Sequence, residues 1–158
     1  MGMSELETWA AEREIQRRIL DYCHGVDTCD VDLIASAYHP DGTDDHGSFQ
    51  GTGHDLAAYV AERLAARYEA TQHTTGQPAI DFVDDDTADV VTYVRAEHLG
   101  RDDDGHVLVT FEGEYRDRFE HRDGAWRIAH RVVVHSWDRS QRIDLAFESG
   151  RFTERRRR

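Results

Sequence analysis

Four side chains along the chain have the right types for acid–base chemistry: Tyr22, Asp27, His73 and Arg131. An unperturbed imidazole titrates near ~6.5, so a histidine such as His73, within TQHTTG, can take a proton at neutral pH. A solvent-facing histidine at a strand end is the ordinary alternative, and ten histidines in the chain dilute any single one. Asp27 follows Gly25-Val26 at a helix end, where a turn-forming aspartate beside Thr28 fits as well as a functional carboxylate. Arg131 stands in AHRVVVHSW, a run apolar enough to be buried, and a buried cation needs a carboxylate, a ligand or a path to water. Tyr22 lies on an apolar helix face, where a core tyrosine with its hydroxyl bonded at the rim is the commoner outcome. Spacing alone does not join these four residues into a site.

The elements that must carry them divide the chain into two halves. Ser4 with Glu7 makes a capping box, and Ala11, Ile15, Ile19 and Tyr22/Cys23 follow at helical spacing. Gly25 is expected to close this first helix. Asp30 caps a second short helix carrying Leu33, Ile34 and Ala37, which stops before Pro40, and both prolines, Pro40 and Pro78, read as joints between patterned segments. A third helix is expected from about Asp55 to Tyr68, on the spacing of Leu56, Tyr59, Val60 and Leu64. The period then changes to strand alternation near 73–83, 89–98, 107–120 and 126–137. Aspartate-rich and Asp-Gly turns separate these segments. In the third segment Val107, Val109, Phe111, Gly113, Tyr115 and Phe119 share a face, and Gly113 marks a bulge or bend. Helices followed by an antiparallel meander predict an α+β fold, with the helices on one face of a curved sheet that encloses a pocket.

Composition limits the function classes. The 158 residues fit one domain, here read as residues 1–140 with a tail at 141–158 whose basic end is expected to be disordered. A net charge of −13, despite four terminal arginines, opposes nucleic-acid binding. No apolar run approaches a membrane span, and the acidic N-terminus is unlike a signal peptide, so a cytoplasmic protein without membrane contact is expected. Cys23 and Cys29 read as reduced thiols. No nicotinamide, flavin or phosphate-binding loop is legible, since GTG at 51–53 follows no apolar strand. No histidine pair has the spacing of a helical zinc site, so neither cofactor nor metal is expected.

The order of motifs resembles the SnoaL-like branch of the nuclear-transport-factor-2-like (NTF2-like) superfamily. The pieces that carry the resemblance are YCHGVD, VDLIASAYHPDGT, GTGHDLAAYV, TQHTTGQPAI, FEGEYRDRFEHRDGAWRI and HRVVVHSW, spanning about residues 10–138. Within that branch the chain is similar to cofactor-free lyases: hexachlorocyclohexane dehydrochlorinase, bile-acid 7α-dehydratase and, more distantly, scytalone dehydratase. The resemblance implies an NTF2-like cone and an Asp–His dyad made by Asp27 and His73. It aligns Tyr22 with a tyrosine of the bile-acid enzyme and Arg131 with the arginine of the last strand. The dehydrochlorinase carries a basic or polar group where this chain has Tyr22, which argues against identical substrate chemistry. His98, Tyr115 and His135 are expected to line the cavity and bind substrate.

In such a dyad the carboxylate sets the imidazole tautomer and stabilises the imidazolium formed on proton transfer. Arg131 would hold a leaving hydroxide or halide, or an enolate oxygen, and the Tyr22 hydroxyl would donate to the leaving group or polarise a carbonyl. The expected activity is β-elimination of water or halide from a small, largely apolar cyclic substrate. An isomerase or polyketide-type cyclase with the same base, or a non-catalytic ligand-binding or assembly module, are the alternatives on this fold. A homo-oligomer, dimer or trimer, is expected.

Overall fold

A computed structural model describes residues 2–147. The N-terminal half is helical: α1 (Glu5–Thr28), α2 (Val31–Ser36) and, after two strands, α3 (Gly53–Arg67). The strands are β1 (Tyr38–Asp45), β2 (Gln50–Thr52), β3 (Ala70–Thr75), β4 (Ala79–Asp84), β5 (Thr87–Asp102), β6 (Gly105–Arg122) and β7 (Ala125–Ile143). They form one seven-stranded sheet in the order β2-β1-β7-β6-β5-β3, with β4 also on β5. The sheet is curved and unclosed, and the helices pack on it, as the change of period near residue 70 predicts.

Local signals place most of these elements. Ser4 accepts from the Glu7 amide while the Glu7 carboxylate accepts from Ser4, so the capping box forms. Asp30 caps α2 through the Leu33 amide at 3.0 Å. Asp123 and Gly124 both take positive φ in the β6–β7 turn, the backbone of a two-residue hairpin. At Gly113 the β6–β7 register shifts, so the expected bulge is present.

Three expectations are corrected. Gly25 does not close α1, which runs on to Thr28 and ends at Cys29 in the left-handed region. Gly25 is needed for close approach instead: a Cβ there would lie 2.8 Å from both Ile34 Cγ1 and the Ile34 amide nitrogen. Asp27 therefore sits in the last turn of α1 and not in a loop. Second, Pro40 does not mark a break between elements but lies within β1, which pairs in parallel with β7. Its register jumps between Tyr38 and Thr43, and the proline, which has no N–H for a ladder, occupies that irregular stretch. The sheet is thus antiparallel apart from this pair. Third, the segment expected at 73–83 is two strands, β3 and β4, both paired to β5.

The core lies between α1 and the concave sheet face. Ile15, Ile19, Tyr22, Cys23 and Val26 of α1 meet Val90 and Val94 of β5, Tyr115 and Phe119 of β6 and Trp126 and Ile128 of β7, all buried. Each large side chain fully buried this way contributes about 1.5–3 kcal/mol. β7 continues to Ile143, past the domain end expected at 140. The basic end of the expected tail lies outside the described residues.

Candidate active site

Asp27 and His73 meet through the docking of α1 against β3. The Nδ1 of His73 lies 2.7 Å from Asp27 Oδ1, and the His73 backbone amide donates to Oδ2 at 2.9 Å. Thr71, two residues earlier on the same strand face, donates its hydroxyl to Oδ1 at 3.3 Å. A carboxylate only accepts, so the Nδ1 facing it carries a proton and Nε2 is the free acceptor of the neutral ring. The His73 side chain is 9 % exposed and that of Asp27 16 %, so the pair is shielded from bulk water and reachable at its edge.

The sheet register lays a floor beside this pair. His73 is opposite Ala96, Ala96 is opposite Phe111, and Phe111 is opposite Asp138. Directly paired residues share a face, so one row crosses four strands. Phe111 and His135 bring their rings to 5.5 Å, and Phe111 and Val133 are half-buried against the core. His135 is otherwise exposed and bonded to Asp138 at 2.9 Å, at the outer end of this row. His98 sets its ring edge-on to His73 at 5.8 Å and rests against Tyr68 at 4.9 Å. Burial, and then the neighbouring His73, push the His98 imidazole down to about 4, against a hydrogen bond with Val109. His98 is therefore neutral near pH 7.

Arg131 and Tyr22 form a second cluster, sealed from solvent. Arg131 donates from Nε and Nη2 to the two oxygens of Asp117, at 2.7 and 2.6 Å, with neither side chain exposed. Its guanidinium carbon lies 4.3 Å from the Tyr22 ring centre and 4.0 Å from that of Tyr115. Two tyrosine faces and a bidentate carboxylate suit a planar delocalised cation, and they hold it charged. Burial raises Asp117 above the usual carboxylate range, against the pull of Arg131. One donor of Arg131, Nη1, is buried without a hydrogen-bond partner among the described residues. Tyr22 also packs edge-on against Tyr38 and Tyr115, and burial drives both the Tyr22 and Tyr115 hydroxyls well above their ordinary range.

Cys23 links the two clusters. It lies one helical turn before Asp27, and its buried thiol, pushed up to about 12 chiefly by burial, is within electrostatic reach of Arg131, Asp27 and Asp117. The dyad residues thus come together as a bonded pair, Tyr22, Tyr115 and Arg131 stack behind them, and His98 and His135 flank the floor. Around Arg131 the concave side is packed with side chains, not open. Two residues along β3 from His73, Thr75 borders a hollow of about 300 Å³ with Gln16, Ile19 and Leu20 of α1.

Asp117 is the residue that sequence reasoning missed. A signal was there: it sits between Tyr115 and Phe119 at strand parity, on the face the apolar residues share. Asp44 was missed as well. It is buried, accepts the Tyr38 hydroxyl at 2.5 Å and bonds His46 Nδ1 at 2.7 Å.

Residues 7–132 match the SnoaL-like domain, and the chain belongs to that family. Among solved structures, a hexachlorocyclohexane dehydrochlorinase, LinA type 2, superposes with a TM-score of 0.79 at 24 % identity, over 90 % of this chain and 97 % of that one. A scytalone dehydratase-like protein from Novosphingobium aromaticivorans gives 0.76 at 23 % identity, over 94 % of this chain and 99 % of the other. A Mycobacterium tuberculosis protein of unknown function gives 0.71 at 25 % identity, over 86 % and 78 %. These likenesses establish the NTF2-like fold. No curated protein sequence matches the chain. No helix among the described residues is long and apolar enough to cross a membrane.

Proposed function

We propose that the protein is a cofactor-independent lyase that eliminates water or halide from a small, largely apolar cyclic substrate, with His73 as general base. The observation that carries this reading is the 2.7 Å contact between His73 Nδ1 and Asp27, which leaves Nε2 as the proton acceptor. His73 Nε2 takes a proton from a carbon next to an activating group. The C–H electron pair becomes the new C=C bond, and the bond to the leaving group breaks with its electrons on halide or hydroxide. The Asp27 charge stabilises the imidazolium meanwhile. In a dehydration that proton completes the water released; in a dehydrohalogenation it passes to solvent. Ala96, Phe111 and Val133 supply an apolar floor beside the base.

One observation favours a second reading with the same base. Arg131 is sealed from solvent and already neutralised by Asp117, so it is not available to take a leaving halide or hydroxide. An isomerase or cyclase would form an enolate and reprotonate it or close a ring.

The test is turnover of cyclic halides and cyclic β-hydroxy ketones, read as halide release or as absorbance of the new conjugated bond. The native protein should turn over a member of one class, and His73→Ala should be about 10²–10⁴-fold slower with unchanged circular dichroism. Equal turnover by His73→Ala would overturn the reading, and binding without turnover would point to a ligand-binding module.

A further inference from the structure

The elimination scheme leaves one buried polar line unused, from the surface at His46 to the tyrosines around Arg131. Asp44 of β1 has no exposed side-chain surface, and its partners are the Tyr38 hydroxyl on Oδ2 at 2.5 Å and His46 Nδ1 on Oδ1 at 2.7 Å. His46, 26 % exposed, is the only member that touches solvent. Tyr38 is fully buried and meets the ring of Tyr22 at 6.0 Å, and Tyr22 in turn lies on the Arg131 guanidinium. The parallel β1–β7 ladder puts Asp44 directly opposite Arg131. Arg131 thus has a buried carboxylate residue opposite it on each neighbouring strand: Asp117 on β6, which holds its guanidinium, and Asp44 on β1, which is bonded to Tyr38 and His46.

We infer that Asp44 is a positioning residue for Arg131, and that the protonation state of His46 at the surface sets the charge this buried cluster carries. With His46 neutral, Asp44 and Asp117 leave an excess negative charge beside Arg131. With His46 protonated, two cations face two carboxylates and the cluster is balanced. A buried charge imbalance is costly, and the low-dielectric interior transmits it over several ångströms. The Asp44 charge is felt at both Tyr22 and Asp117, the groups in direct contact with Arg131.

The charged and titratable groups around this line come from each packed element. From β7 they are Arg131 and His130, the latter bonded through Nδ1 to the Thr43 hydroxyl. From β6 it is Asp117, and from α1 Tyr22. Within β1, Asp45 next to His46 is occupied by Gln50 of β2 and the Gly47 amide. From α3, Asp55 is tied to Thr52. His46 is therefore the imidazole bonded to Asp44. Its use in turnover rests on the lyase reading; its effect on Arg131 does not.

Nuclear magnetic resonance tests this without substrate. The Arg131 Nε–H proton, held on Asp117, is followed across the pH range together with the ring carbons of His46. The Arg131 signal should shift with the same midpoint as His46, and the shift should be lost in His46→Gln, a surface change that leaves the core intact. Asp44→Asn should abolish it as well. An Arg131 signal that stays fixed through the His46 titration, or a shift that persists in His46→Gln, would overturn the inference. Neither outcome bears on whether His73 is a base, and a protein without turnover would still give a result.

Discussion

Asp117 holds Arg131 by two hydrogen bonds, at 2.7 and 2.6 Å, where neither side chain reaches solvent. The pair spans β6 and β7 and closes the core behind the dyad. Its strength lies in mutual dependence: either partner alone would be an uncompensated buried charge.

Asp117→Ala should therefore destabilise the protein by about 3–5 kcal/mol, because Arg131 cannot lose its proton. The double variant Asp117→Leu with Arg131→Met should lose much less, since it removes both charges and fills the space. Urea denaturation of the two proteins measures the difference. Equal losses would show that packing, and not charge pairing, dominates there.

Asp27→Asn tests the carboxylate. The amide keeps the size of Asp27 and can still accept from the His73 backbone, but it removes the charge that stabilises an imidazolium and permits the other ring tautomer. Turnover should fall about 10²–10⁴-fold while KM changes little. A large rise in KM with unchanged kcat would assign Asp27 to binding instead.

His98 should make stability depend on pH. Its folded-state value of about 4 lies below the ordinary 6.5, so the unfolded chain binds the proton more tightly. Its contribution is complete above the unfolded value and is lost as pH falls from about 6.5 to about 4. The loss should reach up to about 3 kcal/mol. Subtracting the stability curve of His98→Gln from that of the native protein isolates it, because the carboxylates are common to both. A flat difference between pH 4 and 7 would show that the ring is not held neutral.

Gly25→Ala should destabilise despite the better helix propensity of alanine. Propensity favours the change by about 1 kcal/mol. The new Cβ would meet Ile34 Cγ1 and the Ile34 backbone at 2.8 Å, and neither can swing away, because Ile34 is fully buried. Overpacking of this kind costs about 1–3 kcal/mol, so a net loss of about 1 kcal/mol is expected. Thermal unfolding reads it directly, and a raised Tm would show that α2 yields.

What the amino-acid sequence determined by itself was local. The capping box at Ser4, the Asp30 cap, the Asp-Gly turn at 123–124 and the bulge at Gly113 depend on neighbours a few residues away, so pattern and turn chemistry suffice. The pairing of Asp27 with His73 was legible only through resemblance, because no spacing rule joins residues 46 apart. The tertiary structure alone decided the rest. Gly25 reads as a helix end until α2 is seen lying against it, and Pro40 reads as a break until the parallel β1–β7 ladder is seen. Arg131 announced that it needed a partner, yet which carboxylate answers depends on cross-strand register. That register sets Asp117 and Asp44 opposite Arg131 from the strands on either side of β7, and Asp117 is the one that holds the guanidinium. Burial removed the water that would have let these charges ignore each other, and burial is a property of the folded chain.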